Sequence, residues 1–184
     1  MEKGKLIFIT GGVRSGKSAF AEQLAMQSAD GGELHYIACG IPFDLEMQER
    51  VKRHQEDRQQ SGANWKTWEQ PTYLSEIAGH FTKQDIVLLD CVTTLLNNYL
   101  YKEEMTDTND LISKIIQDIN FLQKRTDKLI VVSNEVLNDI PFEDEHTQQY
   151  QYILGNIHQE LVKQADQAIL AESGIPVYMK GGST

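Results

Sequence analysis

The sequence predicts an α/β fold, with a mostly parallel central sheet and helices on both faces. Three observations carry that expectation. Strand-length apolar runs recur at Leu6-Ile-Phe-Ile9, Ile86-Val-Leu-Leu89 and Leu129-Ile-Val-Val132. Helical patterns separate them, which is the alternation that builds a parallel sheet. The first run passes straight into Gly11-Gly-Val-Arg-Ser-Gly16-Lys17-Ser18 and then into a run of good helix formers. No internal repeat, low-complexity tract or long linker divides the chain, so residues 1–184 read as a single domain of a size that buries a real core.

Each element follows from its own stretch. Lys5 to Thr10 is a strand, and the helix after the glycine-rich loop spans about 17–29, closed by the Asp30-Gly-Gly32 turn. Residues 33–38 form a second short strand, broken by Gly40 and Pro42, and 43–60 read as a polar helix. After a loop at Ser61-Gly-Ala-Asn64, Trp65 to Glu69 is a short edge strand and 73–80 a modest helix. Asp85 to Asp90 is a buried strand bounded by acids, followed by a helix from Val92 to Tyr101. The clearest amphipathic helix is 108–125, where Leu111, Ile112, Ile115, Ile116, Ile119 and Leu122 make one stripe and Thr108 serves as N-cap. Lys128 to Ser133 is a central strand, a long helix covers 145–165 and leads to Gln167-Ala-Ile-Leu-Ala171, and Pro176 to Lys180 is the last strand. The Gly181-Gly-Ser-Thr184 tail is expected to move freely.

The loop at 11–18 predicts the chemistry. Gly11, Gly12 and Gly16 admit backbone conformations that let successive N–H groups turn inward around a phosphate, with Val13, Arg14 and Ser15 between them. The start of the helix at Lys17 adds a favourable field for an anion. Lys17 is placed to reach the β- and γ-phosphates, and the Ser18 hydroxyl to ligate Mg²⁺. Strand, loop and helix together are the context this motif requires, so the chain is read as binding a nucleoside triphosphate, GTP or ATP.

Composition narrows the rest. A formal net charge of −10 argues against a general nucleic-acid surface, which needs a basic excess. No apolar run approaches the roughly twenty residues of a membrane span, and the chain enters its first strand without room for a signal peptide, so a cytoplasmic location is expected. Cys39 and Cys91 lack metal-ligand spacing and read as free thiols.

Two further constellations bear on function. Asp90, closing a buried strand, fits the acid that holds Mg²⁺ directly or through water. Thr93 and Thr94 beyond it are read as caps of the next helix, with phosphate contact as the alternative. In an acidic protein, Arg50, Lys52, Arg53 and Arg58 form a basic island on one helix, with His54 sharing a face with Met47, Val51 and Arg58. An imidazole among cations stays neutral at pH 7 and is then a nucleophile. From the residues alone, a solvated helix with Glu46–Arg50 and Glu49–Arg53 pairs is the favoured reading. His35, His80, His146 and His158 are isolated and read as surface or packing residues. The Trp65/Trp68 pair reads as packing, with Glu69 beside it able to accept hydrogen bonds from a guanine.

Taken in order, Thr10 to Ser18, Tyr36-Ile-Ala38, Glu46-Met47 with Arg50 and His54, Trp65-Lys-Thr67 with Glu69, and Leu88-Leu-Asp-Cys-Val-Thr-Thr94 with Asn97 form one set. Ser133-Asn-Glu-Val136, Ala165-Asp166 and Ser173-Gly-Ile-Pro176 complete it. This set resembles the bifunctional adenosylcobinamide kinase/adenosylcobinamide-phosphate guanylyltransferase family of cobalamin biosynthesis. The resemblance implies phosphorylation of adenosylcobinamide by ATP or GTP, then transfer of GMP from GTP through a guanylylated histidine to give adenosylcobinamide-GDP. It places that histidine at His54, reversing the reading from residues alone, and nucleotide contacts at 11–18, Ala38, Cys39, Gly40, Glu69 and Asp90. It further implies a P-loop NTPase sheet with an antiparallel C-terminal strand, and a homotrimer with sites between subunits. The chain departs from the family pattern at Leu137, where many relatives carry glycine, and at Gly155-Asn-Ile-His-Gln159, where arginine is usual. Asp90 stands where some members have glutamate. The competing readings are a P-loop kinase of another small alcohol and a nucleotide-dependent switch or assembly module.

Overall fold

A computed structural model describes residues 3–40, 45–105, 107–136 and 145–182, together with their side chains except those of 45–47, 50, 51, 53, 54 and 57. Seven strands are present: β1 (Lys5–Gly11), β2 (Leu34–Ala38), β3 (Trp65–Glu69), β4 (Ile86–Asp90), β5 (Lys128–Asn134), β6 (Gln167–Glu172) and β7 (Ile175–Lys180). The helices are α1 (Lys17–Ser28), α2 (Leu45–Gln60), α3 (Val92–Tyr101), α4 (Thr108–Arg125) and α5 (Glu145–Gln164). The strands lie in the order β3-β2-β4-β5-β1-β6-β7, all parallel except β7, which runs antiparallel to β6. Among the described residues, no helix is long and apolar enough to cross a membrane.

The apolar runs are continuous because these strands are covered on both sides. Alternate residues divide between two cores. Leu6, Phe8, Ile37, Leu89, Leu129 and Val131 face α3, α4 and α5. Ile7, Ile9, Leu34, Leu88, Ile130 and Val132 face α1. Small residues bring α1 close, its buried face being Ala21 and Ala25 besides Lys17. On α4 the expected stripe is inside, with Leu111, Ile115, Ile119 and Leu122 buried. Asp118 lies within that stripe at 0% exposure, and it accepts hydrogen bonds from Tyr99 Oη at 2.7 Å and Lys114 Nζ at 3.0 Å. Its charge is thus both paired and hydrogen-bonded, as burial demands.

Three local expectations need correction. The N-cap of α4 is Asp107, whose carboxylate accepts from the Asp110 N–H at 2.9 Å, and Thr108 is the first helical residue. The stretch 73–80 is two single 3₁₀ turns, Leu74–Glu76 and Ala78–His80: Tyr73 at φ 51° stands outside the first as its N-cap, and Ile77 at φ −95°, ψ −10° separates the two. The N-cap position of α3 is Cys91, with no side-chain cap bond, so Thr93 and Thr94 do not cap it. In the tail, Gly181 is tied down by a hydrogen bond from Gln167 Nε2 to its carbonyl at 3.0 Å, while residues 183–184, like Pro42 and Leu137, lie outside the described ones. Both cysteines are free and buried.

The buried histidines pack, as expected. Trp68 Nε1 donates to His35 Nδ1 at 3.1 Å, so the neutral ring carries its proton on Nε2, facing the Glu33 and Asp85 carboxylates at 3.7 Å each. A ring held in that tautomer offers no lone pair to a metal between those carboxylates. His158 is 8% exposed, with Nε2 2.7 Å from Ser133 Oγ and its ring tilted on Phe8. Burial lowers its pKa to about 4. The unfolded chain, titrating near 6.5, therefore binds a proton that the folded chain refuses, and stability falls as pH drops through that window. We expect about 2 kcal/mol to be lost between pH 7 and 4.5 on this account. Urea titrations at both pH values should show the fall, and a smaller one in His158→Gln.

Candidate active site

The site grows from the C-terminal edge of the sheet. β1 ends at Gly11, a four-residue turn closes with Ser15 N–H on the Gly12 carbonyl at 3.2 Å, and α1 begins at Lys17 after Gly16 in the left-handed region at φ 86°. Val13 and Arg14 are exposed at the loop's tip, Arg14 at φ 60°. Lys17 is buried to 8% exposure, and its Nζ donates to the Gly12 carbonyl at 3.1 Å, folding the cation back over the loop. The hydroxyls of Thr10 and Ser15 are buried with no hydrogen-bond partner among the described residues. A phosphate or water in the cradle is the kind of group that satisfies such atoms.

The loop rests on the turn between β6 and β7. The Gly174 N–H donates to the Ser15 carbonyl at 2.9 Å, a Cβ on Gly16 would stand 3.2 Å from Gly174 Cα, and a Cβ on Gly11 would stand 2.5 Å from the Ala171 carbonyl oxygen. Gly11 is thus required for close approach, and Gly16 for both its positive φ and its contact.

Asp90 ends β4 as expected, but β4 is not the neighbour of β1. β5 lies between them, with Gly11 paired to Asn134 and the Glu135 N–H on the Gly11 carbonyl at 2.8 Å. Ser133, Asn134 and Glu135 therefore stand between the loop and Asp90. Their signal in the sequence is a polar triplet closing a buried strand, which by itself points to no particular role. Asn134 Nδ2 donates to Thr93 Oγ1 at 2.8 Å, and both Thr93 and Thr94 hydroxyls meet Cys91 Sγ.

On the other side, Ala38 pairs in register with both Glu69 and Asp90, so three positions proposed for nucleotide contact meet at one edge. Cys39 beside them is wholly buried; its N–H donates to the Asp90 carbonyl at 3.0 Å and its carbonyl accepts from Asn98 Nδ2 at 2.8 Å. Gly40 is half-buried and Ser18 lies in the first turn of α1.

Beneath this edge the sequence missed a connection. Tyr36 Oη donates to Asp90 Oδ2 at 2.8 Å, and Arg58 of α2 lies over the Tyr36 ring at 3.7 Å while its Nη1 pairs with Glu22 Oε1 of α1 at 3.2 Å. Burial first, and then the Asp90 carboxylate, push the Tyr36 phenol well above its usual pKa, so it remains a donor. Of the basic island, Lys52 is exposed and 3.9 Å from Glu56, whereas the side chains of Arg50, Arg53 and His54 lie outside the described ones. His54 itself is in α2, one turn before Arg58.

A sheet edge with a Gly-x-x-x-x-Gly-Lys-Ser loop opening a helix defines a P-loop nucleotide-binding protein. The fold is shared with the flagellar accessory protein FlaH of Methanocaldococcus jannaschii (TM-score 0.53, 15% identity, covering 100% of this chain and 83% of that one). It is shared also with a prototypical ATPase from the type III secretion system of pathogenic bacteria (TM-score 0.57, 14% identity, 91% and 51%). At such identities the likeness concerns the fold alone.

The sequence is more specific. The chain belongs to the cobinamide kinase / cobinamide phosphate guanyltransferase family, whose sequence model matches residues 7–179. It is 33% identical over 186 residues to the bifunctional adenosylcobalamin biosynthesis protein CobU of Salmonella typhimurium, covering 95% of this chain and 99% of the relative. To the protein of the same description, CobP, from Pseudomonas aeruginosa it is 31% identical over 175 residues, covering 94% and 96%.

The loop geometry gives a direct test. An alanine at Gly16 must adopt a positive φ, costing about 1–2 kcal/mol, and must also press on Gly174. Gly16→Ala should raise the Kd for a nucleoside triphosphate about ten-fold or more, read by calorimetric titration.

Proposed function

We propose that the chain is a bifunctional enzyme that phosphorylates adenosylcobinamide with ATP or GTP and then transfers GMP from GTP to the product, giving adenosylcobinamide-GDP. The observation that carries this reading is the family match across residues 7–179. The loop at 11–18, Ala38, Glu69 and Asp90 share the sheet edge where α/β folds bind ligands.

In the kinase step, the acceptor hydroxyl oxygen attacks the γ-phosphorus, the bond to the β,γ-bridging oxygen breaks, and the nucleoside diphosphate leaves. The main-chain N–H groups of Gly11 to Ser18 and the Lys17 ammonium neutralise charge on the transferred group. In the transferase step, a neutral His54 imidazole nitrogen attacks the α-phosphorus of GTP and pyrophosphate leaves. A phosphate oxygen of the acceptor then attacks the same phosphorus, and the P–N bond breaks to release His54. Gly40 and Cys39, through the backbone, shape the wall beside Ala38, and Glu69 is placed to accept hydrogen bonds from a guanine.

Ser18 and Asp90 offer a hydroxyl and a carboxylate, oxygen donors of the kind Mg²⁺ takes together with phosphate and water. Ser18 and Asp90 would hold the ion there, and it would offset negative charge on the phosphates. We place the enzyme in the cytoplasm as one domain over residues 1–184 and assemble it as a homotrimer. The exposed apolar residues of the edge strand β7, Ile175 at 65% and Met179 at 69%, support the assembly as area for a neighbouring subunit to cover.

Incubation with GTP and Mg²⁺ should add one GMP to the intact mass, acid-labile and base-stable, and absent in His54→Ala. Transfer of γ-phosphate to adenosylcobinamide without a GMP adduct would reduce the chain to a kinase, and no stimulation by any small acceptor would favour a switch. Lys17→Ala should fold as the wild type does but lose triphosphate turnover by a factor of about 10² or more, measured as phosphate or pyrophosphate release.

A further inference from the structure

The helix that carries His54 is short of the usual means of attachment. Of the sixteen residues of α2, only Leu45, Met47 and Val51 are apolar, too few for the stripe that seats an ordinary surface helix. Among its described side chains one is buried, and that one is a cation: Arg58, at 4% exposure. Its guanidinium stacks on the Tyr36 ring at 3.7 Å and pairs with Glu22 at 3.2 Å. The same Tyr36 donates its hydroxyl proton to Asp90 Oδ2 at 2.8 Å. One aromatic ring therefore supports α2 through its face and the strand-end carboxylate through its edge.

These contacts are directional. A planar guanidinium with one partner above a ring and another on α1 sets both the height of α2 on the sheet and its rotation about its own axis, which an apolar contact does not. After β2 the chain leaves at the C-terminal edge and returns through α2 to the opposite edge, where β3 begins. Residue 54, four residues and about 6 Å along the helix axis N-terminal to Arg58, is thus nearer the edge that carries the loop and Asp90.

We propose that Arg58 is a positioning residue for guanylyl transfer: braced on Tyr36 and Glu22, it fixes where the His54 turn of α2 stands relative to the P-loop and Asp90. This rests on the assignment of His54 as the nucleophile. The contacts shown for Arg58 are Tyr36 and Glu22, not the P-loop or Asp90, so its removal is expected to separate attack from binding.

The test compares Arg58→Met, Arg58→Lys and the double variant Glu22→Gln/Arg58→Met, in which the Glu22 charge is removed together with its Arg58 partner. In Arg58→Met and in the double variant, the single-turnover rate of GMP-adduct formation should fall at least about ten-fold, while the Kd for GTP changes less than about three-fold. Arg58→Lys, which keeps a cation for Glu22 and Tyr36, should recover part of the rate. The double variant should melt within about 3 °C of the wild type. Amide exchange across residues 45–60 should quicken in Arg58→Met, with α4 unchanged. A stable double variant that forms the adduct at the wild-type rate would overturn the proposal. So would parallel losses of rate, GTP affinity and melting temperature, the mark of a merely structural role. If the wild type forms no adduct, the transferase reading falls instead, and exchange in α2 decides the brace by itself: faster in Arg58→Met supports it, unchanged refutes it.

Discussion

Between the nucleotide loop and the strand pair behind it there is no space for a methyl group. A Cβ at Gly11 would meet the Ala171 carbonyl at 2.5 Å and Ser15 Oγ at 2.6 Å, and one at Gly16 would press on Gly174. The tightness fixes the loop's inner wall, because backbone atoms cannot give way as a flexible side chain can. It also explains the antiparallel last strand. Glu172 pairs with Ile175 across a two-residue turn, Ser173 at φ 51° and Gly174 at φ 80°, the positive angles a tight hairpin needs. That turn brings the Gly174 N–H to the Ser15 carbonyl. A parallel β7 would require a long crossover and could not return the chain to the loop within two residues.

What the sequence made legible follows from the range of each interaction. Strands buried on both faces announce themselves as unbroken apolar runs, and the α4 stripe announces itself by its period, so both were placed to within a residue or two. Neighbouring cap candidates are harder: Asp107 and Thr108 are equally able acceptors, and only the backbone at Asp107, φ −76° and ψ 117°, decides between them. Strand order was not legible at all. Periodicity says which face a residue takes and nothing of which strand lies alongside, so the insertion of β5 between the loop strand and Asp90 needed the structure.

The site shows the same division. The placing of Gly11 to Ser18 and Asp90 at the ends of β1 and β4 was legible, because a glycine-rich loop and a strand-terminal acid are local signatures. Arg58 reads from the sequence as one cation of a solvated helix, because the i,i+4 rule that pairs Arg50 and Arg53 on that helix is also local. Its partner Glu22 lies 36 residues upstream on α1, and the ring beneath it belongs to β2. Lys52, exposed and 3.9 Å from Glu56, is the residue that obeys the local rule. Two cations on one helix thus took opposite fates, decided by what the adjacent layers offered.

The two faces of the sheet divide the work. On the side of α3, α4 and α5 the contacts are mainly apolar; the Asp118 carboxylate there is hydrogen-bonded, while Asn120 Oδ1 and Gln123 Oε1 are buried with no partner among the described residues. On the side of α1 and α2 the buried groups include Lys17, Arg58 and Tyr36, and their partners lead to the nucleotide edge. That asymmetry reconciles an acidic chain with a polyanionic ligand. At physiological ionic strength the Debye length is about 8 Å, so carboxylates spread over the far surface contribute little at the loop. On the proposed reading, phosphates would meet the loop's main-chain N–H groups and Lys17 at contact distance, where water screens less than over the open surface. A net charge of −10 is therefore compatible with triphosphate binding, provided the cations are concentrated on the one face where the loop opens.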